Sequence, residues 1–146
     1  MADMTGYTNR EKLITISASL LPYPFMIMTI WTAFTSVKQL LYIGLAIYVA
    51  GLMLYFATLR IFIQTPIAKR LSEGPFRLSR NPMYLSATLM FFGICVMTLD
   101  TVLSIILIVM FMLQHFMILA EERACRLKYG PAYEEYTKKV PRYFFK

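Results

Sequence analysis

The sequence predicts an all-α polytopic membrane protein with four transmembrane helices, the last two forming a C-terminal helical hairpin, followed by a short cytoplasmic amphipathic tail helix. Three observations carry this expectation. Hydrophobic residues make up 58% of the 146 positions, more apolar material than a soluble domain of this length can bury. Uncharged runs cover 13–37, 39–59, 81–99 and 101–120. Each is long enough to cross a ~30 Å hydrocarbon core at about 1.5 Å per helical residue. The basic residues are also asymmetric: Arg10 and Lys12 precede the first run, Arg60, Lys69, Arg70, Arg77 and Arg80 fill the loop 60–80, and seven more lie in the tail 121–146. Only Lys38 falls on the other side, so the N- and C-termini and the loop 60–80 are expected in the cytoplasm.

Taken in order, the first run is not a cleavable leader, because Asp3 and Glu11 interrupt the basic start a signal needs and no A-x-A-like exit follows. Pro22 and Pro24 should kink it. The third run opens at Asn81-Pro82, a residue suited to the N-cap followed by one suited to the first helical position. Only Asp100 separates the third run from the fourth, which forces a tight antiparallel hairpin. Gly130 should end the helix that continues from the fourth run, and Pro131 should begin the tail helix. There Glu134 and Glu135 precede Lys138 and Lys139 by four residues, while Tyr133, Tyr136 and Val140 share the other face. The whole chain, 1–146, reads as one integral-membrane domain.

The charge of +7 is spent on topology and on contact with the lipid bilayer, so nucleic acid is excluded as a partner. Cys95 within the third run and Cys125 beyond the fourth differ in depth and read as packing residues, which leaves no disulfide and no metal set.

The polar chemistry collects at one place. Counting equally away from Asp100 along both arms of the hairpin brings Glu121 and Glu122 to the level of Asn81, so "RNPMY" and "AEERA" share one cytoplasmic mouth. A helix start at Asn81 and Pro82, with Arg77 and Arg80 beside it, suits an anion. Glu121 and Glu122 suit a cation, and Phe76, Met83 and Tyr84 an apolar group. A ligand with an amino-acid head and an apolar body satisfies the set. The blander alternative is a plain helix start, snorkelling arginines and a solvated helix end.

"GPFRLSRNPMYLS", followed after the hairpin by "EERACRLKYGPAYEEYTKKVPRYF", resembles the integral-membrane methyltransferases that include isoprenylcysteine carboxyl methyltransferase and phospholipid N-methyltransferases. The likeness covers 58–146, while the first two spans match only as hydrophobic segments. The resemblance implies S-adenosylmethionine as cofactor, contacted by Arg70, Leu71, Phe76, Asn81, Pro82, Met83, Tyr84 and Glu121. Arg80 and Glu122 join these from the charge argument above. Asn81 stands in place of the histidine of the prenylcysteine enzymes, as also occurs in lipid N-methyltransferases. Met117 replaces an arginine that in the prenylcysteine enzymes is implicated in holding the substrate carboxylate. The resemblance therefore implies methyl transfer to a lipophilic or small acceptor at the cytoplasmic membrane interface.

His115 lies seven residues before Glu122, on nearly the same helical face and about 10 Å deeper, and is the candidate base if the acceptor is an amine. Its alternative is a neutral ring bonded within the bundle. Two rival functions remain at this stage, a membrane reductase using a nicotinamide cofactor and a non-enzymatic four-helix membrane protein.

Overall fold

Each helix ends where particular side chains stop it. The structure, a computed structural model, describes residues 7–64 and 74–143. Helix α1 (Asn9–Leu20) begins at a capping box, in which Glu11 N donates to Thr8 Oγ1 and Thr8 N donates to Glu11 Oε2. Leu21 interrupts it and Pro22 opens α2 (Pro22–Thr29), the break expected of prolines at 22 and 24.

The first helical stretch then stops earlier than the run 13–37 suggests. Beyond Thr29 the ladder tightens to i→i−3 bonds, with Ile30 N donating to Ile27 O and Trp31 N to Met28 O, and the helix runs out. Past them, Thr35 N donates to Met97 O at 2.8 Å, outside any helix ladder. Helix α3 (Lys38–Gln64) instead outruns its expected span 39–59, with Arg60 Nε donating to Gln64 Oε1 one turn on. A 3-10 turn (Gly74–Arg77) leads to α4 (Pro82–Thr98). Leu99, left-handed at φ 53°, and Asp100, which caps α5 (Thr101–Tyr129) by accepting from Leu103 N, form the hairpin turn. Helix α5 runs past 120 until Gly130 at φ 54°, and α6 (Pro131–Lys139) follows.

Among the described residues all regular structure is helical. Three stretches are long and apolar enough to cross a membrane: α1 with α2 (Asn9–Thr29), α3 and α5. The sequence predicts four spans; α4, with 17 residues, reaches only about 26 Å and falls below that length. Large apolar side chains such as Ile30, Trp31, Met53 and Ile63 are exposed on the outer surface, where lipid rather than water is the fitting solvent.

Helix α4 packs most intimately against α3. The two run antiparallel, with Gly44 opposite Gly93 and Gly51 opposite Ser86 and Met90. A Cβ built on Gly93 would lie 2.7 Å from Gly44 O and 2.8 Å from Tyr48 N, so only glycine lets the backbones meet there. Behind this seam, Phe25, Cys95, Leu103 and Met110 form a buried cluster joining α2, α4 and α5. Cys125 packs against the cluster of Tyr133, Tyr136 and Val140, and both cysteines are free thiols. The bundle thus has one end carrying Lys38 and the Leu99–Asp100 turn, and another where Glu11, Arg80, Glu121 and Arg123 gather. At that second end Arg123 Nη2 and Glu11 Oε2 are 2.6 Å apart.

Candidate active site

Successive residues of a helix point about 100° apart, so Glu121 and Glu122 cannot serve the same partner. Glu121 accepts a 2.7 Å hydrogen bond from Tyr84 Oη, which ties α5 to the first turn of α4. Glu122 is buried and turns to two arginines. Arg142 Nε and Nη2 donate to its two carboxylate oxygens at 3.1 and 2.9 Å, a bidentate pair, and Arg80 Nη1 lies 3.5 Å from Oε2. The arginine expected at the mouth, Arg80, is there, with a side chain only 10% exposed. Its Nε and Nη1 are buried without a hydrogen-bond acceptor. Arg77 is exposed instead.

Residues 140–143 cross this mouth as a strap. Arg80 N donates to Pro141 O at 3.0 Å and Ser79 Oγ donates to Arg142 O at 2.9 Å. Tyr143 Oη sits 2.8 Å from His115 Nδ1. Hydrogen bonding to Glu122 holds the Arg142 guanidinium above its ordinary pKa, against the opposing effect of burial. Helix α6 anchors the strap: Tyr136 Oη donates to Phe76 O at 2.9 Å, and burial pushes that phenol up to about 12.

Asn81 occupies the N-cap position of α4, yet its side chain makes no cap bond. Its amide reaches Arg142 O only at a long 3.5 Å, while its N–H donates to Ser79 Oγ. The strap carbonyl draws the side chain away from the helix start, so the capping role expected of it is not taken up. Phe76 and Pro82 are buried, Met83 and Tyr84 half-buried, all within this region. Arg70 and Leu71 lie outside the described residues. His115 and Glu122, expected on one face, both turn to the strap. Among the described residues no group of His, Cys, Asp and Glu could hold a metal.

A bidentate arginine, an under-satisfied second arginine and a tyrosine-bound carboxylate converge at one end of the α4–α5 hairpin, a donor and acceptor set whose chemistry suits a small ligand of mixed charge. The model of the phospholipid methyltransferase family matches residues 18–132. The chain belongs to that family. No curated protein and no solved structure matches the chain. The family is one of membrane methyltransferases, and the matched stretch contains Arg80, Tyr84, Glu121 and Glu122, while the strap lies beyond it.

In this phospholipid methyltransferase family member, sequence reasoning passed over Ser79, Tyr143 and the role of Arg142. Arg142 stands in the Val140-Pro141-Arg142 run of the tail, but nothing in spacing alone brings position 142 to 122. The signal available was Glu122 itself, a carboxylate expected inside the bundle, which needs a cationic, hydrogen-bonding partner there.

Proposed function

We propose that the protein transfers a methyl group from S-adenosylmethionine to a lipophilic or small acceptor at the cytoplasmic membrane interface. In this reading α4 crosses the membrane as the fourth span and both termini face the cytoplasm, with α6 lying at the interface. The observation that carries the proposal is Arg80, buried with two guanidinium nitrogens lacking acceptors beside a carboxylate already engaged by Arg142. Buried guanidinium N–H groups without hydrogen-bond acceptors are costly, and a ligand carboxylate would satisfy them. The residues fit the cofactor's methionine part on both counts, with Arg80 for the carboxylate and Glu121 for the positive end. Phe76, Met83, Asn81 and Pro82 would hold the apolar adenine, and the resemblance to the membrane methyltransferases adds Arg70 and Leu71 of the preceding loop to the set.

Bound there, the cofactor supplies a methyl group already activated by its sulfonium. The chain's own task is placement and exclusion of water: the strap covers the mouth, and the apolar walls keep the local dielectric low. His115 serves as a proton acceptor only in the tautomer whose Nδ1–H donates to Tyr143 Oη, because Nε2 is then unprotonated. Calorimetry with S-adenosylhomocysteine on the purified protein should give one site, weakened roughly ten- to a hundredfold by Glu121→Ala, as a charge-assisted bond of about 1.5 to 3 kcal/mol requires. An affinity untouched by that change would remove Glu121 from the site.

A further inference from the structure

A cavity of about 530 Å³ lies among α1, the start of α2, α4 and α5, and none of the strap residues lines it. Its polar lining is Thr15, Ser19, Tyr23, Tyr84, Gln114 and Glu121, and the remainder, including Met117, is apolar. Glu121 and Tyr84 stand at the mouth. Gln114, seven residues earlier on the same helix, lies about 10 Å deeper. The cavity therefore runs from the candidate active site into the level of the membrane, with polar groups at more than one depth.

Two features fix what it can take. Among the described residues no lysine or arginine lines it, and its one carboxylate is Glu121. Arg80 and Arg142 are held at Glu122, and Arg123 is held at Glu11. An anionic head placed here would face the Glu121 carboxylate in a low-dielectric wall that carries no lysine or arginine among the described residues, which is unfavourable. The second feature is an unmet hydrogen bond: Thr15, 3% exposed, has a buried hydroxyl with no partner, while the Ser19 hydroxyl is spent on Thr15 O at 2.8 Å. Gln114 accepts only a long 3.4 Å contact from Thr88 and keeps its amide NH₂ to donate.

We infer that this cavity binds the methyl acceptor as an amphiphile whose polar head donates hydrogen bonds and carries no negative charge, with its apolar body along α5. The head meets Glu121, Thr15 and Gln114, and amines, alcohols and thiols share that chemistry. Fatty carboxylates do not, and a phosphate-bearing head is disfavoured unless its phosphate stays outside among the arginines. The inference rests on the methyl-transfer reading for the word acceptor, but the binding itself can be measured alone.

The test uses the full chain in phosphatidylcholine nanodiscs with three single-chain photoreactive probes of equal length, an alcohol, an amine and a fatty acid. The alcohol and the amine should crosslink to peptides carrying Thr15 and Gln114, and the fatty acid roughly tenfold less. Glu121→Gln should raise fatty-acid labelling and lower amine labelling. Thr15→Val and Gln114→Leu, checked for an unchanged elution profile, should reduce alcohol and amine labelling together. Equal labelling by all three probes, or labelling spread over the lipid-facing sides of α3, overturns the inference. S-adenosylhomocysteine binding in the same discs separates the two readings. If it persists while cavity labelling fails, only the cavity assignment falls; if it is absent while labelling succeeds, the methyl-transfer reading falls and the amphiphile site stands.

Discussion

The seam between α3 and α4 and the mouth at the start of α4 are held by opposite means, although the same helix serves both. In the seam the backbones themselves touch, through Gly44, Gly51 and Gly93, and no charged side chain takes part. At the mouth the contacts are polar and come from far along the chain, as Arg142 reaches Glu122 and Ser79, and Tyr143 reaches His115. The difference teaches how a short membrane protein can keep a charged site in order. Because the seam positions α4 through backbone contact, the mouth can carry two arginines against one buried carboxylate without depending on that imbalance for its geometry. A rigid support under a polar site is what precise placement of a ligand requires.

The seam predicts the largest effect. Gly93→Leu should abolish folded, monodisperse protein in detergent, since the new side chain meets Gly44 O and Tyr48 N, neither of which is the end of a flexible group. Gly93→Ala should fold with a loss of about 1 to 3 kcal/mol, the usual cost of overpacking. A melting temperature for Gly93→Leu equal to that of the parent would break the comparison, because the seam would then not be what places α4.

Next in size is the mouth. Glu122→Ala strands Arg80 and Arg142 and should cost on the order of 3 kcal/mol, as when one partner of a buried ion pair is removed. The loss should be local. Residues 140–143 should become open to protease and exchange their amide hydrogens quickly, while amides of α3 and α4 along the seam stay protected. Equal loss of protection in both regions would mean that the strap, and not the glycines, holds the bundle.

The two regions also differed in how far the sequence disclosed them. The mouth was partly legible because Asp100 alone parts two uncharged runs, so similar counts along both arms bring Asn81 near the level of Glu121 and Glu122, but the count did not disclose that Tyr84 is the residue that bonds Glu121. Gly130 and Pro131 marked the joint of α5 and α6 by their ordinary backbone preferences. The seam was not legible, because its glycines sit in two separate runs and become a motif only when antiparallel pairing sets Gly44 against Gly93. The end of α2 at Thr29 was hidden for another reason: the uncharged run continues to 37, so no change of polarity marks the place where the helix stops. The strap escaped because it is irregular backbone, held by contacts across more than sixty residues.

The smallest effect sharpens the comparison by separating the regions with pH. Tyr136 donates to Phe76 O, and burial pushes its phenol from 10.0 up to about 12. The sign follows from proton binding: between about pH 10 and 12 the docked tyrosine keeps a proton that an undocked one has released, so docking is complete below that range and weakens as pH rises through it. Tyr133 beside it is raised by burial in the same direction and adds to the loss. The seam's glycines have nothing to titrate, so α3 and α4 should remain protected from exchange while α6 and the strap loosen. Tyr136→Phe keeps the ring in its cluster and removes the bond to Phe76 O, which should cost about 0.5 to 1.5 kcal/mol at neutral pH and flatten the alkaline loosening. Tyrosinate absorbance followed together with protease sensitivity of the tail measures both. An alkaline release just as steep in Tyr136→Phe as in the parent would show that the phenol does not hold the tail against the mouth, and that Tyr133 or Arg142 does.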